Sequence, residues 1–190
     1  MKLIAITGGI GAGKSVVSKM LQVMGYPVYD CDSEAKRLMT RSSRLVQGIK
    51  ELIGEEAYNI DGTINREYMS RCIFADEALV QEINALVHPA VLDDIKQWAA
   101  GTGSELNFVE TALLRESNMS VILDDVWVVT APLELRIDRV VARNNFSREQ
   151  VIARISKQAG DELESMGRVV VNDGIKPLLP QVLSLLGELE

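Results

Sequence analysis

The chain has 190 residues, of which 47% are apolar, 25% charged and 5% aromatic, and its net charge is −7. This composition excludes a disordered chain, and no apolar run approaches the roughly 18 residues of a membrane-spanning helix. Two cysteines and one histidine argue against a disulfide framework or zinc site, and the acidic balance argues against nucleic acid or a membrane as a partner. We therefore expect a cytosolic protein with one core and an insertion.

Five short runs rich in valine and isoleucine are predicted to be β-strands, and helical stretches separate them. The runs cover residues 2–7, 27–30, 106–110, 126–130 and 168–172. Their lack of strict alternation is typical of parallel strands that are buried on both faces. Strands that alternate with helices predict an α/β fold in three layers, with about five mostly parallel strands.

Three of the helices are marked by their own signals. After Lys14, apolar residues recur at helical spacing until Gly25 ends the pattern. Ser147 and Gln150 form a capping-box pattern that begins a helix reaching residue 157. The last helix is predicted over residues 178–189, where leucines and a valine form one stripe.

A helical insertion is predicted between the second and third strands. About 75 residues there contain no convincing strand, which is far more than a single crossover helix needs. We predict a helix over residues 65–72 and a long helix from Asp76 towards Trp98. Pro89 lies inside the long pattern, so we expect a kink or break near His88.

A glycine-rich segment that reads GGIGAGKS follows the first strand at residues 8–15. It matches the phosphate-binding loop G-x-x-x-x-G-K-[ST] at every position, and so predicts a P-loop nucleoside-triphosphate hydrolase fold. Lys14 is expected to reach the β- and γ-phosphates, and the Ser15 hydroxyl to bind Mg²⁺. The alternative is a plain glycine turn. The expected nucleotide-binding residues are Gly9, Gly11, Ala12, Gly13, Lys14, Ser15 and Val16.

Carboxylates lie at or just after the ends of the second and third strands, at Asp30, Asp32 and Glu110. Ligands of open α/β sheets bind beyond the carboxyl ends of the strands. Phosphoryl transfer to an alcohol needs a carboxylate at the attacking hydroxyl and a bound Mg²⁺, for which Asp30 is a candidate ligand. Spacing does not decide whether Asp30 or Asp32 is the base, and Asp32 could instead cap the following helix.

Residues 136–157 hold six basic side chains against two acidic ones. Arg139 and Arg143 are four residues apart, so one helical face presents both. A helical hairpin with arginines aimed at the phosphates would work as a lid that excludes water. The alternative is a solvated face on which the arginines pair with Asp138 or Glu149.

Taken together, these motifs resemble those of the dephospho-CoA kinase family, over nearly the whole chain. The matching segments are T-G-G-I-G-A-G-K-S at 7–15, Y-D-C-D-S-E-A-K-R at 29–37, D-G-T-I-N-R-E-Y-M-S-R-C-I-F at 61–74, H-P at 88–89, A-P-L-E-L-R-I-D-R at 131–139 and V-N-D-G at 171–174. The resemblance implies transfer of the ATP γ-phosphate to the 3′-hydroxyl of the dephospho-CoA ribose, which gives CoA and ADP.

The resemblance also implies roles for single residues and segments. Asp32 would be the base, Arg139 or Arg143 the lid arginine, and Asn172 part of the adenine pocket. ATP, Mg²⁺ and dephospho-CoA are the expected ligands, and we expect a monomer or a weak homo-oligomer. The implied segments are a nucleotide-binding core of 1–58, 102–135 and 166–190, a CoA-binding helical subdomain of 59–101, and a lid of 136–165.

The chain departs from the family pattern at several positions. Lys36 stands where arginine is usual, and this weakens any bidentate contact there. Arg136 stands where glutamine is usual. Further departures are Ala112 and Arg115 in the stretch 112–116, and Gly167-Arg168 before the last strand.

From the residues alone, two other functions stay open. A kinase acting on a nucleoside or nucleotide would share the loop and the lid. A GTPase-type switch would carry N-K-x-D to read guanine, and Asn172-Asp173-Gly174 does not match that pattern.

Overall fold

The computed structural model describes residues 1–115, 117–144, 146–158 and 161–189. Five residues lie outside this description: Glu116 in the stretch 112–116, residues 145, 159 and 160 in the predicted lid, and residue 190 in the predicted core. The helices and strands are β1 (Lys2–Thr7), α1 (Lys14–Val23), β2 (Val28–Asp30), α2 (Cys31–Arg41), α3 (Ser43–Ile53), α4 (Arg66–Ala75), α5 (Glu77–Thr102), β3 (Leu106–Glu110), β4 (Asp125–Thr130), α6 (Leu133–Asn144), α7 (Arg148–Lys157), β5 (Arg168–Val171) and α8 (Leu178–Gly187).

The strands form one parallel sheet in the order β2-β3-β1-β4-β5, with helices on both sides. In the middle of the sheet, β1 pairs Ile6 with Glu110 of β3 and Thr7 with Val128 of β4. The predicted α/β sheet is confirmed, and each strand begins and ends within one residue of its prediction. Because parallel strands share one carboxyl edge, the segment after β1 lies beside those after β4 and β5.

Apolar strand residues make the sheet the centre of the core. No residue from Leu3 to Thr7 is more than 5% exposed. Phe108 and Trp127, on the strands that flank β1, lie with their ring centroids 5.2 Å apart. Helices α1 and α8 pack against the same cluster through Val17, Leu21, Val182 and Leu186. Each such buried side chain stabilises the fold by about 1.5–3 kcal/mol, so β1 and α1 hold the loop between them in place.

The chain divides into two compact units. The first comprises Met1–Tyr29, Thr102–Leu114 and Ser120–Glu190, and the second comprises Asp30–Gly101 and Arg115–Met119. In the second unit α3 approaches α5 closely, since a Cβ on Gly48 would lie 2.6 Å from the Leu86 side chain. Arg37 forms ion pairs with Glu34 and Asp94 in the same unit. The predicted boundaries of the helical subdomain and the lid stay predictions.

Helix α5 runs without interruption through Pro89, so of the predicted kink or break near His88 the break is wrong, and the kink stays a prediction. A proline removes one backbone hydrogen bond from a helix. Here an apolar face of the helix is buried by tertiary packing, and that burial outweighs the missing donor. The buried residues are Ile83, Val87, Val91, Ile95 and Ala99. Among the described residues, α5 included, no helix has both the length and the apolar character that crossing a bilayer requires.

Candidate functional site

The segment between β1 and α1 is a tight loop whose glycines adopt backbone conformations that other residues rarely take. Gly11 has a φ of 78° and Gly13 a φ of 101°. The amide of Ala12 donates to the carbonyl of Gly9 over 3.1 Å, and Gly13 is the residue directly before α1. Successive N–H groups in such a turn, next to a helix N-terminus, form an anion-binding concavity.

Neighbouring groups leave no room for a Cβ atom in this loop. A Cβ on Gly13 would lie 2.1 Å from Nδ2 of Asn172, and one on Gly11 would lie 2.5 Å from the carbonyl oxygen of Arg136. A Cβ on Gly9 would lie 2.2 Å from Nη2 of Arg136. A larger residue at Gly11 would therefore push the backbone of α6 away from the loop, and one at Gly9 or Gly13 would displace the side chain of Arg136 or Asn172.

We expect Gly13→Ala to lower the free energy of unfolding by about 1–3 kcal/mol and to weaken ATP binding. The new methyl group would clash with the Asn172 side chain, and alanine would be strained at the positive φ of residue 13. Urea unfolding and titration calorimetry with ATP measure the two effects. Gly101→Ala in α5 is the matched control, because nothing lies within 4 Å of its Cβ position. Unchanged stability and ATP affinity in Gly13→Ala would contradict the expectation.

The first residues of α1 add a cation and a hydroxyl to the loop. The Lys14 amine donates to the carbonyl oxygen of Gly8 over 2.9 Å, so its side chain folds back over the loop. Ser15 and Val16, the next residues, are exposed. The start of α1 therefore adds an ammonium group and a solvent-accessible hydroxyl-bearing residue to the loop.

Arg139 of α6 and Asn172 after β5 form one network with the loop. Nη1 of Arg139 lies 3.4 Å from the carbonyl oxygens of both Gly11 and Ala12. Nη2 of Arg139 donates to the backbone and side-chain oxygens of Asn172 over 3.1 and 3.2 Å. The Asn172 side chain is buried and donates from Nδ2 to the Ala12 carbonyl over 2.8 Å. A guanidinium group is thus held within reach of the phosphate-binding loop.

Arg143 lies elsewhere than Arg139. Its side chain is exposed, and its Nε donates to Oδ1 of Asn144 over 2.8 Å. Among the described residues, the alternative ion pairs of Arg139 and Arg143 with Asp138 or Glu149 are absent. Of the two arginines at helical spacing, the structure brings Arg139 to the loop and leaves Arg143 at the surface.

The two acids at the end of β2, Asp30 within the strand and Asp32 after it, have different surroundings. Oδ1 of Asp30 accepts from the amides of Asp32 and Ser33 over 3.1 and 3.3 Å, and Oδ2 accepts from the Ser33 hydroxyl over 2.6 Å. Asp30 is therefore the N-cap of α2, and the alternative in which Asp32 is the cap is wrong. Asp32 lies in the first turn of α2 with an exposed side chain.

After β5, the chain makes an ordered turn next to Asn172. The Asp173 carboxylate accepts from the amides of Lys176 and Ile175, each over 2.8 Å. These backbone hydrogen bonds lower the pKa of Asp173 below its ordinary value, and the bond from the Lys176 amide has the largest effect. The segment that the family resemblance assigns to the adenine pocket therefore has a fixed backbone path.

Two contacts with the loop were not predicted from the sequence. Oε1 of Gln158 accepts from the Ile10 amide over 2.7 Å, and Nε of Arg136 donates to the Ile10 carbonyl over 2.9 Å. Gln158 belongs to no motif and lies 148 positions from Ile10 along the chain. Arg136 stood out only as a departure from a family pattern. No spacing rule connects these residues with the loop.

Comparisons with known proteins find similar sequences and similar folds. The family model described as Dephospho-CoA kinase matches residues 2–176. A dephospho-CoA kinase of Bacteroides fragilis is 40% identical over 186 residues, which cover 96% of this chain and 90% of the relative. A crystal structure from Thermus thermophilus has a TM-score of 0.83 at 32% identity, covering 100% of this chain and 98% of the other. Dephospho-CoA kinase from Campylobacter jejuni has a TM-score of 0.72 at 20% identity, with the same coverage, and supports the fold.

Proposed function

Since the chain belongs to the dephospho-CoA kinase family and phosphorylates dephospho-CoA with ATP in the last step of coenzyme A biosynthesis, we propose a role in that reaction for each residue of the candidate site. The acceptor is the 3′-hydroxyl of the ribose, and the loop over residues 8–15 binds the triphosphate. The observation that carries this proposal is the loop itself, whose glycines lie against Arg136 and Asn172 with no room for a Cβ.

The loop holds the nucleotide through backbone amides and one ammonium group. When ATP binds, the Lys14 amine exchanges the Gly8 carbonyl, at 2.9 Å in this structure, for oxygens of the β- and γ-phosphates. The α1 N-terminus adds its partial positive charge. The binding residues that we propose are Gly9, Gly11, Ala12, Gly13, Lys14, Ser15 and Val16.

Mg²⁺ is the proposed metal, bound together with ATP. Among the described residues no three His, Cys, Asp or Glu side chains converge into a metal site. Mg²⁺ commonly takes only one or two protein oxygens beside phosphate oxygens, and the exposed Ser15 hydroxyl next to Lys14 fits that demand. Asp30 is the second proposed ligand. When bound, the ion neutralises charge that develops on the phosphates.

Asp32 is the proposed base that receives the proton of the 3′-hydroxyl. Sequence spacing leaves the choice between Asp30 and Asp32 open. Both oxygens of Asp30 are engaged in capping α2, whereas the Asp32 side chain is exposed. A carboxylate that is not committed to a helix cap can accept a proton without loss of local structure. This difference favours Asp32.

Two arginines are proposed to act on the phosphates of the bound nucleotide. Arg139, and Arg143 on closure of a lid over 136–165, would stabilise charge on the transferred phosphoryl group. Asn172 holds Arg139 and Ala12 in this structure, which supports a place in the nucleotide site.

The helical subdomain over 59–101 is proposed to bind the CoA part of the acceptor. Cytosolic location, a monomeric or weakly oligomeric state, and no nucleic-acid or membrane partner stay predictions.

A coupled assay of ADP release tests the function. We expect kcat/KM for dephospho-CoA to exceed that of every nucleoside and nucleoside monophosphate in a panel, with ATP preferred over GTP. NMR of the product locates the new phosphate on the 3′-oxygen. Turnover of dephospho-CoA no faster than that of a Lys14→Ala control would overturn the proposal, and a faster nucleoside reaction would favour a nucleoside kinase.

A further inference from the structure

Ile10, at the tip of the phosphate-binding loop, is held by side chains on both of its backbone polar groups. Its amide donates to Oε1 of Gln158 over 2.7 Å, and its carbonyl accepts from Nε of Arg136 over 2.9 Å. Arg136 lies in the first turn of α6, and Gln158 follows α7 directly. The two side chains therefore come from opposite ends of the α6–α7 hairpin, defined here as residues 133–158.

The side chain of Ile10 is part of the hairpin's own apolar cluster. This cluster is built on buried Ile137 and Val140 from α6 and Val151 from α7. Ile10 packs against it together with three partly buried residues of the hairpin, Val141, Phe146 and Ile155. One residue of the loop thus packs against an apolar cluster built from both α6 and α7, while its backbone polar groups bond to both ends of the hairpin.

We propose that Gln158 and Arg136 are positioning residues. By bonding to the amide and the carbonyl of Ile10, they hold the α6–α7 hairpin in a fixed position relative to the phosphate-binding loop. We call the three residues the Ile10 clasp. Arg139 lies one helical turn beyond Arg136 and is 3.4 Å from two loop carbonyls. The clasp sets where the guanidinium of Arg139 stands relative to the loop that binds the phosphates.

The role follows from the accuracy that phosphoryl transfer demands. A charged group that misses its place by about 1 Å can cost about 10²-fold in rate. Asn172 orients the Arg139 guanidinium over 3.1 and 3.2 Å, but the direct bonds from Arg139 to the loop carbonyls are long, at 3.4 Å, and tie α6 only weakly to the loop. The shorter bonds at Ile10 tie both ends of the hairpin to the loop. The inference rests on the proposed function, because it assigns Arg139 to the phosphates.

Methionine variants remove each polar contact with little change of volume. Gln158→Met loses the acceptor, and Arg136→Met loses the donor. Arg136→Gln is the conservative variant, because Nε2 of glutamine is the same number of bonds from the backbone as Nε of arginine. Gln47→Met, on an exposed position of α3, is the matched control for the substitution itself.

We expect Gln158→Met and Arg136→Met to lower kcat by about 10- to 100-fold, with both KM values within about threefold of wild type. Arg136→Gln should restore kcat to within about threefold. In NMR hydrogen exchange, the Ile10 amide of Gln158→Met should exchange at least about tenfold faster. Gln47→Met should change none of these quantities.

The Gln158→Met variant can contradict the clasp in three ways. Wild-type kcat, or a kcat loss matched by a general fall in Tm, would overturn the proposal. Tighter ATP binding would also overturn it, since Gln158 would then occupy the place of a phosphate oxygen. If wild-type protein fails to phosphorylate dephospho-CoA, the proposed function fails, while protection of the Ile10 amide still reports on the clasp.

Discussion

We expect Asp32→Asn to lower kcat for phosphorylation of dephospho-CoA by about 10²–10⁴-fold and to leave the Kd for ATP nearly unchanged. The amide keeps the size of the side chain and loses the basic oxygen that would receive the proton of the 3′-hydroxyl. Helix α2 should persist, because its N-cap is Asp30 and not Asp32. Steady-state kinetics with dephospho-CoA and titration calorimetry with ATP measure the two quantities.

Glu105→Gln is the matched control for this variant. Glu105 is exposed just before β3, outside the loop, the helical subdomain and the lid, so the same loss of a carboxylate there should leave kcat unchanged. A collapse of ATP affinity in Asp32→Asn would mean that Asp32 serves the metal ion. A wild-type kcat would show that another group accepts the proton, and Asp30→Asn would then be the next variant to assay.

The second large effect is expected from Lys14→Met, which should lower kcat/KM by about 10²–10³-fold. Methionine fills the space along the loop but brings no charge to the β- and γ-phosphates. The lost hydrogen bond to the Gly8 carbonyl should cost only about 0.5–1.5 kcal/mol of folding free energy. Activity should therefore fall far more than stability, as measured by the coupled assay and by urea unfolding.

Lys19→Met controls for the loss of a lysine from the same helix. Lys19 is exposed in α1 and lies outside the loop, so its removal should leave kcat/KM within about twofold of wild type. Equal activity of Lys14→Met and wild type would contradict the assignment of the loop as the phosphate site. A loss of folding in Lys14→Met alone would instead place the role of Lys14 in the loop's structure.

Local sequence patterns predicted most of the fold, because strands and helix caps depend on residues that are close together in sequence. The strands over Lys2–Thr7 and Leu106–Glu110 follow from short runs rich in apolar residues, and their ends are confirmed. The Ser147–Gln150 capping box is also confirmed, since both of its hydrogen bonds are present. It could be predicted because the two residues are only three positions apart. Pro89 shows the limit of such rules, because packing of a buried face outweighed the propensity of one residue.

Part of the candidate site could not be predicted from local patterns. Helical spacing makes Arg139 and Arg143 equivalent, yet the structure brings Arg139 to the loop and leaves Arg143 exposed. Likewise, either Asp30 or Asp32 could cap the helix that follows β2, and only the observed hydrogen bonds assign the cap to Asp30. These choices depend on which elements pack together, and neighbours in sequence carry no information about that.

By itself, the sequence determined the α/β fold, the loop at 8–15 and the family resemblance, because each is written in contiguous residues whose conformation is set by propensity and burial. Only the tertiary structure decided that Ile10 is held by Arg136 and Gln158, and that Arg139 reaches Asn172. Such contacts join residues more than thirty positions apart, and they form because the parallel sheet gathers the carboxyl ends of β1, β4 and β5 at one edge.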